Sequence, residues 1–179
     1  DKEFYLSSDD EHKHYLTHNN DVNDERYKKF LSNLMLPLID RIKLKSIGLD
    51  YGCGPGPALS LMLREKGYQM FNYDPFFHPK KSNLSKKYDF ISCSETVEHF
   101  HNPFYEFTRF NELLNDGGKI GIMTNFHSKE NIFENWYYIK DPTHVVFYTK
   151  NTFLIIAKMF KWDCEFLNNN LVFFKKIYN

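Results

Sequence analysis

The stretch Leu49-Asp50-Tyr51-Gly52-Cys53-Gly54-Pro55-Gly56-Pro57 constrains this chain most, because it sets a tight glycine turn between an apolar strand and a helix. Ile47 to Tyr51 read as a short buried strand, and the three alternating glycines let the backbone turn sharply and approach a ligand with no Cβ in the way. Pro57 suits a first helical position, Ala58 to Leu63 supply an apolar face, and Gly67 ends the segment.

The spacing selects the ligand. A dinucleotide loop reads G-x-G-x-x-G and aims backbone amides at a pyrophosphate. Here the pattern is G-x-G-x-G, with Asp50 before it and no basic or Ser/Thr phosphate ligand after it. An acid at the strand end suits a ligand with a cationic amino group. Asp74, which closes a second apolar strand from Tyr68 to Tyr73, can take both ribose hydroxyls with its two carboxylate oxygens. S-adenosyl-L-methionine has both features.

On these residues the chain resembles the class I S-adenosylmethionine-dependent methyltransferases. Tyr88 to Phe100 look like that family's fourth strand and the segment after it, and Leu113 to Thr124 like the helix end, Gly117-Gly118 turn and fifth strand that follow. The resemblance implies an α/β, Rossmann-like, doubly wound and mostly parallel sheet. Among the cofactor contacts it implies are Asp50, Gly52, Cys53, Gly54, Gly56 and Pro57 in the loop. Asp74, Pro75 and Phe76 after the second strand, Ser94 and Glu95 after the next, and His18 near the N-terminus complete the set.

One departure matters. Only Pro75 to Lys87 separate Asp74 from the next strand, too few for the usual helix, third strand and helix, since a parallel crossover alone needs about a dozen residues or more. The third strand is expected to be shortened or absent, leaving adenine to rest on Pro75, Phe76 and Phe77. At the other end, Thr152 to Phe160 read as a helix, and Lys161 to Leu167 with Leu171 to Lys176 as a closing antiparallel hairpin. Residues 1–45 read as an N-terminal lid and helix of the same domain, and residues 46–179 as the methyltransferase core. The lid is placed in the polar run His14 to Asn20, and the helix in Asp21 to Lys45, kinked at Pro37.

Methyl transfer from a sulfonium needs an aligned acceptor and, for a hydroxyl, a group that removes its proton. Glu95, Glu98 and His99 stand just past a strand end, on one face if that segment is helical, and His144 can return to the same mouth. These four are the candidate catalytic residues. They also resemble the ligand pattern of the small-RNA 3′-end 2′-O-methyltransferases, in which a divalent metal holds the terminal ribose; two carboxylates and two imidazoles suit Mn²⁺, Co²⁺, Fe²⁺ or Zn²⁺ better than Mg²⁺. The metal-free alternative is favoured here, with an oxygen acceptor on a small or mid-sized, partly aromatic molecule. A non-catalytic S-adenosylmethionine-binding module is the third reading.

Composition narrows the partners. Net charge is zero, which offers no global attraction to nucleic acid, and Lys80, Lys81, Lys86 and Lys87 read as a solvated loop. No apolar run is long enough to span a membrane and the charged start is not a secretory signal, so a cytoplasmic location is expected. The chain starts at Asp1 rather than Met, which leaves an upstream segment open. Cys53, Cys93 and Cys164 are too few and too dispersed for a disulfide framework or a four-cysteine zinc site, and Cys53 has no paired base that would make it a nucleophile. Oligomeric state is left open.

Overall fold

A computed structural model describes residues 5–17, 20–128 and 132–177. Its centre is a six-stranded sheet ordered β2-β1-β3-β4-β6-β5, from β1 (Ile47–Tyr51), β2 (Gln69–Tyr73), β3 (Tyr88–Ser94), β4 (Leu114–Met123), β5 (Trp162–Phe166) and β6 (Leu171–Lys176). Strands β2, β1, β3 and β4 pair in parallel, while β6 pairs antiparallel with β4 and β5. The closing hairpin is therefore present. So is the shortened edge: between Asp74 and Lys87 the chain makes an isolated bridge from Asp74 to His78 and a 3-10 turn, Lys81–Ser85, but no strand, and β2 ends the sheet.

Helices cover both faces, as an apolar sheet with parallel crossovers requires. On one face α2 (Glu25–Ile39) buries Leu31, Leu34, Met35 and Leu38, spaced as one helical stripe, beside α3 (Ala58–Glu65). On the other, α4 (Pro103–Leu113) and α5 (Lys150–Phe160) enclose Phe107, Phe110 and Phe153 with Leu49, Ile91, Ile120 and Phe174. Alternation along the strands divides the two cores: Val172 and Phe174 of β6 join the second, Leu171 and Phe173 the first.

Several local expectations are adjusted. Pro57 is the N-cap of α3 rather than its first residue, and Pro37 sits in the last turn of α2, which ends at Ile39. The Gly117-Gly118 turn is absorbed into β4. That strand begins directly after α4, and its pairing with β3 slips between Tyr88 and Phe90, which leaves room for the glycines. A helix, α1 (Ser8–Tyr15), precedes most of the run read as a lid and overlaps it at His14 and Tyr15; His18 and Asn19 of that run lie outside the described residues. Among the described residues no helix is long and apolar enough to cross a membrane.

Candidate active site

The winding direction of the sheet reverses between β1 and β3, and a crevice opens beyond the carboxyl ends of strands at such a point. Here it is a cavity of about 950 Å³, floored by Gly52, Cys53, Gly54 and Pro55 after β1 and by Asp74, Pro75, Phe76 and Phe77 after β2. Ser94 at the end of β3 and Glu95, Thr96 and His99 after it line one part, and Tyr137, Tyr138, Asp141 and His144 another. Ser8, Glu11 and Tyr15 of α1 line it as well.

The glycine loop needs its glycines. Gly52 has φ +73° and a Cβ there would lie 2.1 Å from the Thr96 side chain, while a Cβ on Gly56 would meet the Asn20 carbonyl at 2.0 Å. Gly56 is thus spent on packing against the N-terminal segment, Pro57 caps α3, and neither lines the cavity. Asp50 does not line it either. Its buried carboxylate accepts from Ser92 Oγ at 2.9 Å and from the Ser60 amide, and burial pushes it up to about 7. Asp50 holds α3 and β3 against the loop rather than facing the space where a ligand fits.

Asp74 is also more occupied than its sequence position suggests. Oδ1 accepts from the amides of Phe76 and Phe77 at 2.9 and 3.0 Å, and Oδ2 from the Gly54 amide at 3.0 Å. A carboxylate offers about four lone-pair directions, so one remains on Oδ2 for a ligand hydroxyl, not a pair spread over both oxygens. Phe76 lines the cavity, and its ring lies parallel to His12 of α1 with centroids 5.7 Å apart. Helix α1 thereby packs against this ring. It is held at two points, by Glu11 with His101 Nε2 at 2.8 Å and by His14 Nε2 with Asp141 at 3.1 Å. His18 lies outside the described residues.

The segment after β3 is not the helix on which a common face for Glu95, Glu98 and His99 depended. Glu95 has a left-handed φ of 46°, and Val97–His99 form a single 3-10 turn. The residues meet by another route. The Tyr138 hydroxyl bridges Glu95, at 3.1 Å, and Glu98, and Thr124 Oγ1 donates to the other oxygen of Glu98 at 2.9 Å. One hydroxyl carries one proton, so both carboxyl contacts are satisfied when one carboxyl is itself protonated. Burial, reinforced by the neighbouring Glu98, pushes Glu95 up to about 8, and burial raises the fully enclosed Glu98 too. Tyr138 and Thr124 escape sequence reasoning because they reach the two acids from a distant part of the chain.

Both histidines are held by backbone carbonyls. His99 Nδ1 lies 3.0 Å from the Thr143 carbonyl and His144 Nδ1 2.7 Å from that of Tyr138, with the rings 4.8 Å apart. A carbonyl only accepts, so each Nδ1 carries a proton, and in its neutral form each ring has its lone pair on Nε2. Glu98, His99 and His144 each offer a ligand atom within 4.8 Å of the other two, whereas Glu95 falls outside this set. A four-ligand metal site is therefore reduced to three. Cys53 is no nucleophile: burial, with Asp50 and Asp74 nearby, drives its thiol far above the ordinary range.

Among curated proteins none matches the sequence. Solved structures do share its fold. A Pyrococcus horikoshii protein, PH0226, is 16% identical and aligns over 92% of this chain and 98% of its own with a TM-score of 0.61. A SAM-dependent methyltransferase from Archaeoglobus fulgidus is 20% identical over 79% of this chain and 73% of that one, with a TM-score of 0.60. An O-methyltransferase family protein from Burkholderia thailandensis is 10% identical over 88% and 61% respectively, with a TM-score of 0.55. The family model of the methyltransferase domain matches residues 23–161, from α2 through α5, and with the class I topology in place this chain belongs to the methyltransferase domain family.

Proposed function

We propose that the chain transfers a methyl group from S-adenosyl-L-methionine to a hydroxyl oxygen of a small or mid-sized acceptor. The observation that carries this reading is that one cavity joins the glycine loop and Asp74 to Glu95, His99 and His144. Its volume lies at the upper end of the range of about 300–1,000 Å³ usual for ligand sites, enough for a donor and an acceptor together. Gly52 and Gly54 give the close backbone approach, the remaining lone pair on Asp74 suits a ribose hydroxyl, and Pro75 and Phe76 offer an apolar surface for adenine.

The sulfonium donor supplies an already activated methyl group, whose transfer forms a C–O bond, breaks a C–S bond and leaves a neutral thioether. The chain's own residues orient the acceptor and take its proton. His99 and His144 present Nε2 lone pairs for that proton, and their rings are fixed by the carbonyls of Thr143 and Tyr138. Glu95, bridged through Tyr138, donates or accepts a hydrogen bond at the acceptor.

A second reading is favoured by one specific observation, the convergence of Glu98, His99 and His144. One carboxylate oxygen and two imidazole nitrogens, with Nδ1 of each ring already donating to a carbonyl, make a donor set suited to Mn²⁺, Co²⁺, Fe²⁺ or Zn²⁺. In that case the metal and not an imidazole would hold the acceptor hydroxyl. The test is methyl transfer from labelled donor into a panel of hydroxyl, amine and thiol acceptors, with and without chelator. Labelling of hydroxyls alone supports the proposal, and labelling confined to amines or thiols overturns the choice of oxygen. Donor binding with no transfer to any acceptor would leave a binding module.

A further inference from the structure

Among the described residues that line the cavity, Arg109 is the one permanent cation, and it is already paired within the lining. Its Nη1 donates to Glu106 Oε2 at 2.9 Å and to the Tyr51 hydroxyl, and its guanidinium carbon sits 4.5 Å from the centroid of the Tyr105 ring. The other acidic lining groups include Asp74, Glu95 and Asp141, which offer an anion no positive charge. The donor's carboxylate travels with its own ammonium group, but a phosphate or carboxylate on the acceptor would lose its hydration and gain no unpaired cation from these residues, a cost of several kcal/mol for an ion in a low-dielectric site.

The rim beside Glu95 has the opposite character. Phe30 and Tyr137 both line the cavity, yet they are 39% and 65% exposed, which puts them at its mouth. Tyr137 adjoins Tyr138, ring centroids 6.0 Å apart, and so stands next to the residue that bridges Glu95 and Glu98. Phe30 is one turn along α2 from Tyr27, which shares its face and also lines the cavity. Tyr137 thus stands open at the mouth beside the reacting end, and Phe30 is a second open ring on the rim of the same cavity. Large apolar side chains left open at the lip of a pocket mark where a ligand, not the protein, completes the burial.

We infer that the acceptor is an uncharged amphipathic molecule whose hydroxyl-bearing head lies beside Glu95, His99 and His144 and whose apolar part extends across Phe30 and Tyr137. This rests on the proposed methyl transfer only for the position of the head. Anionic acceptors, including a nucleic-acid end, are disfavoured by the same arrangement.

The test uses the whole chain loaded with S-adenosylhomocysteine and measures binding by calorimetry, with catechol, 4-pentylcatechol and 3,4-dihydroxybenzoate as probes. These share a hydroxyl pair and differ in tail and charge. Each buried methylene is expected to tighten binding about fourfold. The pentyl compound should therefore bind at least about thirtyfold more tightly than catechol, and the carboxylate more weakly than catechol. In Phe30→Ala and Tyr137→Ala the advantage of the tail over catechol itself should shrink about tenfold, and circular dichroism checks that the fold survives. A tail that adds nothing, a carboxylate that binds as tightly as the neutral compounds, or an advantage untouched by both variants would each overturn the inference. Tail-dependent binding without methylation of any probe would count against the proposed reaction and leave the acceptor class standing.

Discussion

The Gly54 amide donates to Asp74 Oδ2 across 3.0 Å, so the acid that ends β2 also holds the glycine loop that follows β1. Asp74 accepts from the amides of Phe76 and Phe77 too, and its loss should disturb both loops as well as a ligand. Asp74→Ala is expected to weaken S-adenosylmethionine binding by about 1.5–3 kcal/mol, the scale of hydrogen bonds to a charged group, or roughly ten- to a hundredfold in dissociation constant. Calorimetric titration measures the binding and thermal unfolding the second effect. An unchanged dissociation constant with a lowered Tm would show that Asp74 serves the loops alone.

Glu95 stands at the end of β3 with φ 46°, a conformation that costs an L-residue about 1–2 kcal/mol. Backbone strain of this kind persists where the side chain is needed in a particular direction, here toward the cavity. Two truncations separate strain from chemistry. Glu95→Gly and Glu95→Ala remove the same carboxyl, but glycine accepts the left-handed backbone freely. The Gly variant should be the more stable by about 1 kcal/mol in denaturant unfolding, reversing the usual order, while both lose methyl transfer. Equal stabilities would show that the backbone relaxes when the side chain goes.

The parts of the site legible in the sequence are those decided by neighbouring residues. The turn at Gly52 to Gly56 is written in adjacent glycines and prolines, and the missing third strand in the shortness of the chain from Pro75 to Lys87. Where the sequence reading went astray, packing made the choice. Asp50 alternates with Leu49 and Tyr51, but which of these faces the cavity depends on the helices that later cover each side; Tyr51 lines it and Asp50 turns toward Ser92. Tyr138 carries no local mark of its bond to Glu98, forty residues earlier. The place of α1 against Phe76 is fixed by His12, Glu11 and His14, each meeting a partner far along the chain.

The buried Asp50 makes a prediction about pH. Burial raises its pKa from 3.8 to about 7, so the folded chain holds this proton more tightly than the unfolded one does. Its contribution to stability is fully present below about pH 4 and is lost as pH rises through about 7, for a total of up to about 4 kcal/mol. Asp50→Asn is neutral throughout and keeps one acceptor oxygen for Ser92, while its NH2 group faces the Ser60 amide. The variant should show a flatter profile between about pH 4 and 7 in denaturant titrations, whatever its absolute stability. A parent whose stability holds level across that window would mean that Asp50 is already ionised in the folded chain.

The histidine pair separates the two mechanisms most directly. Nδ1 of His99 is bound to the Thr143 carbonyl and Nδ1 of His144 to that of Tyr138, and a glutamine at either place cannot take a proton as an imidazole does. If an imidazole removes the acceptor proton, the more important of His99→Gln and His144→Gln should lower kcat about 10²- to 10⁴-fold and change donor affinity far less, because neither ring bonds to Asp74 or to the Gly54 amide that it holds. Treatment with chelator should then leave the parent rate as it was. If instead the three groups converging within 4.8 Å hold an ion, chelator should abolish the rate, Mn²⁺ or Co²⁺ should restore it, and Glu98→Gln should be as damaging as either histidine change. Co²⁺ added to the chelated chain gives a readout independent of turnover: visible absorption bands that vanish in His99→Gln and His144→Gln would assign the cluster to metal. Their absence, with activity intact, would leave proton removal to the imidazoles.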